Sequence, residues 1–162
     1  MKLKKGDKLP QSELFYLDEN KIVKKINTSL FFKNQKIIMF GVPGAFTAVC
    51  SLKHLPGFLK NYEKAKKKGV KKIICVSVND PFVMRAWGEA HNVGDKILMF
   101  GDPFCKFIKD IGAEVDKSEK GLGIRSSRFT MLIENGIINK IEEEKDTAKC
   151  EISAAENFLK EI

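Results

Sequence analysis

Apolar and polar positions along the chain fall into two periods, and their order predicts the elements. Residues 13–17 and 21–26 read as two short strands around the turn Asp18-Glu19-Asn20. Residues 36–40, with Ile37-Ile38-Met39-Phe40 unbroken, read as a buried strand. Leu52, Leu55, Leu59 and Tyr62 then follow at spacings of three, four and three, which predicts one apolar helix face. Pro56 falls inside that helix and is expected to kink it, and Gly69 to stop it. A second buried strand is expected over 72–78 and a third over 97–100. Between them Pro81 opens a helix with Asp80 as its N-cap. Asp102-Pro103 opens a further helix that ends near Gly112. Residues 129–133 and 137–141 flank Glu134-Asn135-Gly136, a hairpin signal. Ser153 is expected to cap a last helix whose apolar face includes Ala155, Phe158, Leu159 and Ile162. The order is hairpin, βαβαβα, hairpin, helix. That alternation argues an α/β fold in which a mixed central sheet is flanked by helices. There is no repeat, low-complexity stretch or linker, and 162 residues fit a single domain over 1–162 with a real core.

Charge changes this picture little. The net charge of +8 raises nucleic acid or an acidic membrane as a partner. The lysines are scattered, however, and the one cluster (Lys64, Lys66, Lys67, Lys68, Lys71 and Lys72) lies at a helix end and the turn after it, where cations complement the helix dipole. A solvated face is the better reading. No nucleic-acid motif accompanies it, so neither nucleic acid nor membrane is expected as a partner. No apolar run approaches the roughly 20 residues needed to cross a bilayer. The start, Met1-Lys2-Leu3-Lys4-Lys5-Gly6, lacks the apolar stretch of a signal peptide. A cytoplasmic location is expected, although a mature organellar form would look the same.

The cysteines change the picture most. There are four, Cys50, Cys75, Cys105 and Cys150, none in Cys-x-x-Cys spacing, and two histidines, which together argue against a zinc site. Cys50 lies in Gly41-Val42-Pro43-Gly44-Ala45-Phe46-Thr47-Ala48-Val49-Cys50-Ser51, where a buried strand gives way to a helix. The first helical turn carries unpaired backbone N–H groups and partial positive charge, and both favour the nucleophilic thiolate. The alternative, a small buried hydrophobe, fits that position less well. Thr47, three residues earlier, is a helix N-cap or a donor to the sulfur, or both. Arg128 opens the strand before the late hairpin; it is either solvated or a fixed cation that favours the thiolate and stabilises a leaving oxygen. Arg125 is the weaker candidate for that role. Cys150 sits in the polar loop Lys145-Asp146-Thr147-Ala148-Lys149-Cys150-Glu151, either as a bystander or as a thiol able to travel. Cys75, inside a strand, reads as packing, and Cys105 as partly buried in the third helix. His54, one turn after Cys50, reads as a packing or surface residue that could tune the thiolate. His91 reads as a helix-end residue.

Pro43-x-x-x-Thr47-x-x-Cys50 resembles the active-site motif of the peroxiredoxins, the cysteine-dependent peroxidases. With Ser51-Leu52-Lys53-His54-Leu55-Pro56-Gly57-Phe58 after it, the string is similar to the peroxiredoxin-5 subgroup (type II, atypical two-cysteine). Asn79-Asp80-Pro81-Phe82 with Trp87, Gly101-Asp102-Pro103 and Gly123-Ile124-Arg125-Ser126-Ser127-Arg128-Phe129 follow in the subgroup's order, so the resemblance runs through most of the chain. Ala48 stands where many members have proline; alanine is a good helix residue, so a slightly different helix start and no lost chemistry are expected.

The resemblance implies a thioredoxin-like fold with an added N-terminal hairpin, and a thiol peroxidase that reduces hydrogen peroxide and alkyl hydroperoxides without metal, haem or flavin. Cys50 would be the nucleophile, oxidised to sulfenic acid. Thr47 would orient the peroxide, and Arg128 would be the active-site arginine. Pro43 would shield the thiolate and fix the backbone, with Gly44 and Phe46 at the substrate. Trp87 and Phe46 are expected to line the pocket or a subunit contact. Cys150 would resolve the sulfenic acid within the same chain, and since bridging requires Cα atoms within roughly 7 Å, some local unfolding is expected. Thioredoxin, glutaredoxin or glutathione would supply electrons, and a homodimer is implied. Two rivals share the cysteine. A thiol–disulfide oxidoreductase would want a second cysteine where Lys53 stands. A redox sensor would relay oxidation to partner thiols without turnover.

Overall fold

The computed structural model describes residues 1–162. In chain order its elements are β1 (Glu13–Leu17), β2 (Val23–Asn27), α1 (Thr28–Phe31), β3 (Lys36–Gly41), α2 (Leu55–Lys60), α3 (Tyr62–Lys67), β4 (Lys72–Ser77), α4 (Pro81–Ala90), β5 (Leu98–Gly101), α5 (Lys106–Asp110), β6 (Glu114–Asp116), β7 (Ile124–Ser126), β8 (Phe129–Glu134), β9 (Ile137–Glu143) and α6 (Ala155–Lys160). Seven strands form one sheet in the order β2-β1-β5-β4-β3-β8-β9. β3, β4 and β5 run parallel, and the strands outside them pair antiparallel. This is the mixed α/β arrangement that the element order predicted and the thioredoxin-like fold that the resemblance implied. β6 and β7 pair separately as a small ribbon.

The unbroken apolar runs follow from burial on both faces. Along β3, Ile38 and Phe40 enter one apolar cluster while Ile37 and Met39 enter the other. β4 divides in the same way, with Ile73 and Cys75 on the first side and Ile74 and Val76 on the second. The first cluster holds Cys50, Trp87, Leu55, Phe58, Phe158 and Leu159, so the helix bearing Cys50 packs on that face. Phe40 pairs in register with Thr130 on β8, and period-two alternation carries the same face back to Arg128.

Local signals hold where the chemistry is local. Asp80 accepts from the Val83 N–H at 2.9 Å and caps α4, with Pro81 in its first turn. Asn135 and Gly136 take positive φ (50° and 76°), as a two-residue hairpin requires. His91 ends α4.

Other expectations change. The apolar helix face expected through Leu52, Leu55, Leu59 and Tyr62 forms from Leu55 onward, where Leu55, Leu59 and Tyr62 pack on the first cluster, and fails at Leu52. Cys50–His54 is a π-helical turn, in which the Leu55 N–H reaches back five residues to the Cys50 carbonyl. The wider turn shifts the phase, so Leu52 is 76% exposed while Cys50, His54, Leu55 and Phe58 face inward. Pro56, which has no N–H to give, sits in the first turn of α2 just past this switch. The helix after Asp102-Pro103 starts only at Lys106; Asp102 still caps it through the N–H groups of Lys106 and Ile108. Cys105 therefore lies before that helix, buried, at a left-handed φ of 53°. Ser153 does not cap α6. Ala154 holds that position, and the Ser153 hydroxyl donates to Glu144 instead. No sequence signal had marked α1 or the β6–β7 ribbon.

Candidate active site

β3 ends at Gly41, and residues 42–44 run buried beneath the helix that follows. Pro43 is buried there and presents no donor. At Gly44 a Cβ would lie 3.1 Å from Thr47 Cγ2 and 3.3 Å from Arg125 Nη1, so glycine keeps this passage open. Arg125 itself is held by its Nε donating to the Leu122 carbonyl at 2.7 Å. Residues 44–47 form a turn in which Phe46 adopts φ 62°, a costly conformation for a bulky residue, and is 58% exposed. The turn is pinned from outside by Asn79, whose Oδ1 accepts from the Ala45 N–H at 3.0 Å and from the Ser77 hydroxyl at 2.7 Å.

Thr47 precedes the first helical residues, and its carbonyl accepts from the Ser51 N–H at 3.0 Å. Its hydroxyl lies 3.0 Å from Cys50 Sγ and 2.8 Å from the Gly44 carbonyl. One hydroxyl hydrogen cannot serve both acceptors. With a neutral thiol it satisfies Gly44 while the S–H faces Oγ1; with a thiolate it can turn to sulfur.

Cys50 is fully buried. Arg128 Nη2 lies 3.3 Å from Sγ, and this guanidinium is itself 1% exposed. Three further contacts fix it. Nε and Nη2 donate to the Thr147 carbonyl at 3.1 and 2.9 Å, and Nη1 faces His54 Nδ1 at 3.2 Å. Arginine can only donate, so Nδ1 must be the unprotonated nitrogen. The proton then sits on Nε2, within 3.2 Å of the Ser153 carbonyl and 3.3 Å of Thr130 Oγ1. Burial, reinforced by the Arg128 charge, pushes the His54 pKa from 6.5 down to about 3, with the Ser153 contact opposing. The imidazole is therefore neutral at any ordinary pH, wedged between Phe40 and Phe58 at ring distances of 4.9 and 5.7 Å. It is buried packing, as expected, but it also holds the arginine.

Trp87 lies elsewhere than expected. It is fully buried, so it lines neither an open pocket nor a subunit contact; its indole N–H donates to Ser51 Oγ at 3.0 Å and anchors the residue after Cys50. Cys75 is buried in the same cluster. Burial holds its thiol well above the ordinary range, a nearby Cys50 charge adds to this, and it stays protonated. Burial raises Cys105 as well. Cys150 is half-buried; burial raises its thiol while Arg128 pulls the other way.

The structure thus brings Gly44, Thr47, Cys50 and Arg128 together, with Arg125 beside Gly44 and Pro43 buried in the chain just before Gly44. Cys150 lies in a segment that touches the same arginine through Thr147. Sequence reasoning missed the roles of His54, Asn79 and Ser51, and the two backbone carbonyls of Thr147 and Ser153. The carbonyls carry no side-chain signature. The turn spacing from Cys50 to His54 was the one usable signal.

Residues 4–159 match the Redoxin family model. The chain is 38% identical over 157 residues to Peroxiredoxin-2D of Arabidopsis thaliana, covering 97% of this chain and 96% of that protein. Among solved structures it is similar to reduced Prx3 of Vibrio vulnificus in complex with hydrogen peroxide, at a TM-score of 0.92 and 39% identity, covering 98% of each chain. It is also similar to peroxiredoxin 5 of Alvinella pompejana, at a TM-score of 0.83 and 32% identity, covering 97% of this chain and 96% of that one.

Proposed function

This chain belongs to the Redoxin family and is a peroxiredoxin, a thiol-dependent peroxidase with antioxidant function, and on that premise we propose that Cys50 is its peroxidatic nucleophile and Cys150 its resolving thiol, as in the peroxiredoxin-5 subgroup. The observation that carries the reading is the convergence on one sulfur of Thr47 Oγ1 at 3.0 Å and Arg128 Nη2 at 3.3 Å.

Peroxiredoxins act on peroxide and are reduced by thiol partners. In the proposed step the Cys50 thiolate attacks the terminal oxygen of HO–OR. The S–O bond forms as the O–O bond breaks, leaving Cys50 as sulfenic acid and releasing RO⁻, which leaves as water or alcohol after protonation. Arg128 holds a fixed positive charge 3.3 Å from the sulfur, so it stabilises the negative charge that develops on the departing oxygen. Thr47, free to turn between the Gly44 carbonyl and Sγ, donates to the peroxide oxygen under attack. Pro43, buried before the turn, is assigned the shielding of the sulfur from water, and the side-chain-free backbone at Gly44 and the exposed ring of Phe46 are assigned the substrate contacts. Cys150 then attacks the sulfenic sulfur. The S–O bond breaks, water leaves with the thiol proton, and a Cys50–Cys150 disulfide remains. Thioredoxin, glutaredoxin or glutathione is the proposed reductant, a homodimer the proposed assembly, and the cytoplasm the proposed compartment, since the disulfide must be returned to thiols each cycle.

The test mixes reduced protein with one equivalent of hydrogen peroxide and maps its thiols by mass spectrometry beside a Cys50→Ser control. A fast Cys50–Cys150 disulfide supports the whole reading. Sulfenic acid on Cys50 with Cys150 free keeps the peroxidatic assignment and overturns the resolving one. An unreacted Cys50 overturns both.

A further inference from the structure

Glu144 follows β9, and its backbone N–H donates to the Arg128 carbonyl at 2.9 Å, extending the β8–β9 ladder by one pair. It therefore stands directly across from the arginine that faces Cys50. Its side chain is 7% exposed, and a single carboxylate oxygen, Oε1, accepts three hydrogen bonds: from the Glu151 N–H at 2.6 Å, the Ser153 N–H at 3.0 Å and the Ser153 hydroxyl at 2.9 Å. Those donors lie just past Cys150, so the carboxylate closes the Cys150-bearing segment into a loop. The loop in turn reaches back into the site. Its Thr147 carbonyl takes Arg128 Nε and Nη2, and its Ser153 carbonyl takes His54 Nε2 at 3.2 Å and the Thr130 hydroxyl at 2.7 Å. Between these points Lys145, Asp146, Ala148 and Lys149 are exposed and Cys150 is half-buried. A buried carboxylate satisfied by three donors is a strong local tie, whereas the exposed stretch around it has little apolar burial to hold it.

We propose that the Glu144 carboxylate is a latch on the Cys150 segment: a positioning residue that, engaged, holds Arg128 and His54 in place for peroxide attack at Cys50 and, released, frees Cys150 to reach the Cys50 sulfenic acid. This rests on the reading that Cys150 resolves. Its consequence is a trade-off. The docked loop completes the peroxide site and keeps the second thiol away, so weakening the latch slows the first chemical step and speeds the second. A faster second step also leaves the sulfenic acid less time to react with a second peroxide, which would carry it to sulfinic acid.

Stopped-flow kinetics separate the two steps, since oxidation of Cys50 scales with peroxide concentration and disulfide closure does not. In Glu144→Ala the first rate constant is expected to fall about tenfold, the loss of roughly one charge-assisted hydrogen bond's worth of hold, while closure becomes faster. Sulfinic acid formed at excess peroxide should fall with it. Ser153→Ala removes one donor and leaves the backbone bonds, so it should move both phases in the same directions by less. Glu144→Gln keeps an acceptor oxygen and should return both phases most of the way to wild type. Wild-type rates in both phases for Glu144→Ala and Ser153→Ala overturn the latch. Slowing of both phases together in these variants overturns it as well, because that is a general loss of structure. If Glu144→Ala does not fold, Ser153→Ala carries the test alone. If no disulfide forms in any protein, wild type included, the resolving role of Cys150 has failed. The first phase then decides by itself: a slowed phase in the variants supports the hold on Arg128, and an unchanged one overturns it.

Discussion

Residues 42–58 and residues 144–153 both reach Arg128, but with different materials. The first segment leaves a buried strand, carries Cys50 at full burial, and is tied by Asn79 to the Ala45 N–H and by Trp87 to Ser51. Its apolar residues Val42, Leu55 and Phe58 belong to the core cluster. The second segment places no apolar side chain in either core cluster. It is held by one carboxylate oxygen and two backbone carbonyls. Packing energy scales with buried apolar area, so the first segment is anchored by the core and the second only by hydrogen bonds. A peroxidatic cysteine must be held still with its donors aimed; a resolving cysteine must be able to leave its place. The difference in anchoring matches that division of labour.

The sharpest way to break the comparison is at the sulfur itself. Cys50→Ser should remove peroxidase turnover to the limit of detection, whereas Cys150→Ser should keep single-turnover oxidation of Cys50 and lose the intramolecular disulfide. Measured peroxide consumption with a thiol reductant separates the two. Next in size, Arg128→Ala should lower kcat/KM for peroxide about 100-fold or more, because a buried charge-assisted donor to developing negative charge is lost. Arg128→Lys should recover little, since one ammonium cannot span Sγ, the Thr147 carbonyl and His54 Nδ1. Thr47→Val should cost about tenfold, with Thr47→Ser near wild type, since only the hydroxyl is used.

A smaller effect sharpens the role of His54 through pH. Its folded pKa of about 3 lies below the ordinary 6.5 of the unfolded chain. Between those values the unfolded state binds a proton that the folded state refuses. The contribution of His54 to stability is therefore full above about pH 6.5 and declines as pH falls toward 3, by about 1.4 kcal/mol per pH unit. Denaturant melts of wild type and His54→Gln across that window should show a steeper loss in wild type; parallel slopes would remove the buried neutral imidazole from the account. The smallest effect belongs to Cys75. Cys75→Ala should leave peroxide kinetics unchanged and cost about 1 kcal/mol of stability. Native-state alkylation should label Cys75 far more slowly than Cys50.

What the sequence revealed divides along the same line. Asp80-Pro81, Asn135-Gly136 and the apolar runs of β3 and β4 act through neighbours in sequence, and each formed where its residues said it would. Leu52 misled because its spacing to Leu55 suits an α-helix, while the register there is set by a π-turn ahead of Pro56 and by burial of His54; Leu55, Leu59 and Tyr62 kept the expected face. Ser153 misled because its cap role lost to a buried carboxylate nine residues earlier. The contacts of Arg128 with Cys50 and with His54 join residues more than 70 positions apart. Only the family resemblance pointed to Arg128, and nothing in periodicity or composition pointed to the carbonyls of Thr147 and Ser153.

Trp87 is the only tryptophan, and its indole N–H bonds the residue next to Cys50, so its fluorescence reports on the reacting centre. Stopped-flow mixing of the reduced protein with increasing hydrogen peroxide is therefore the most direct test that Cys50 is an activated, peroxide-reducing thiol. The account predicts a fluorescence change whose rate rises linearly with peroxide, runs orders of magnitude faster than oxidation of free cysteine, and is absent from Cys50→Ser. A rate no faster than free cysteine, or a change that survives Cys50→Ser, would contradict it.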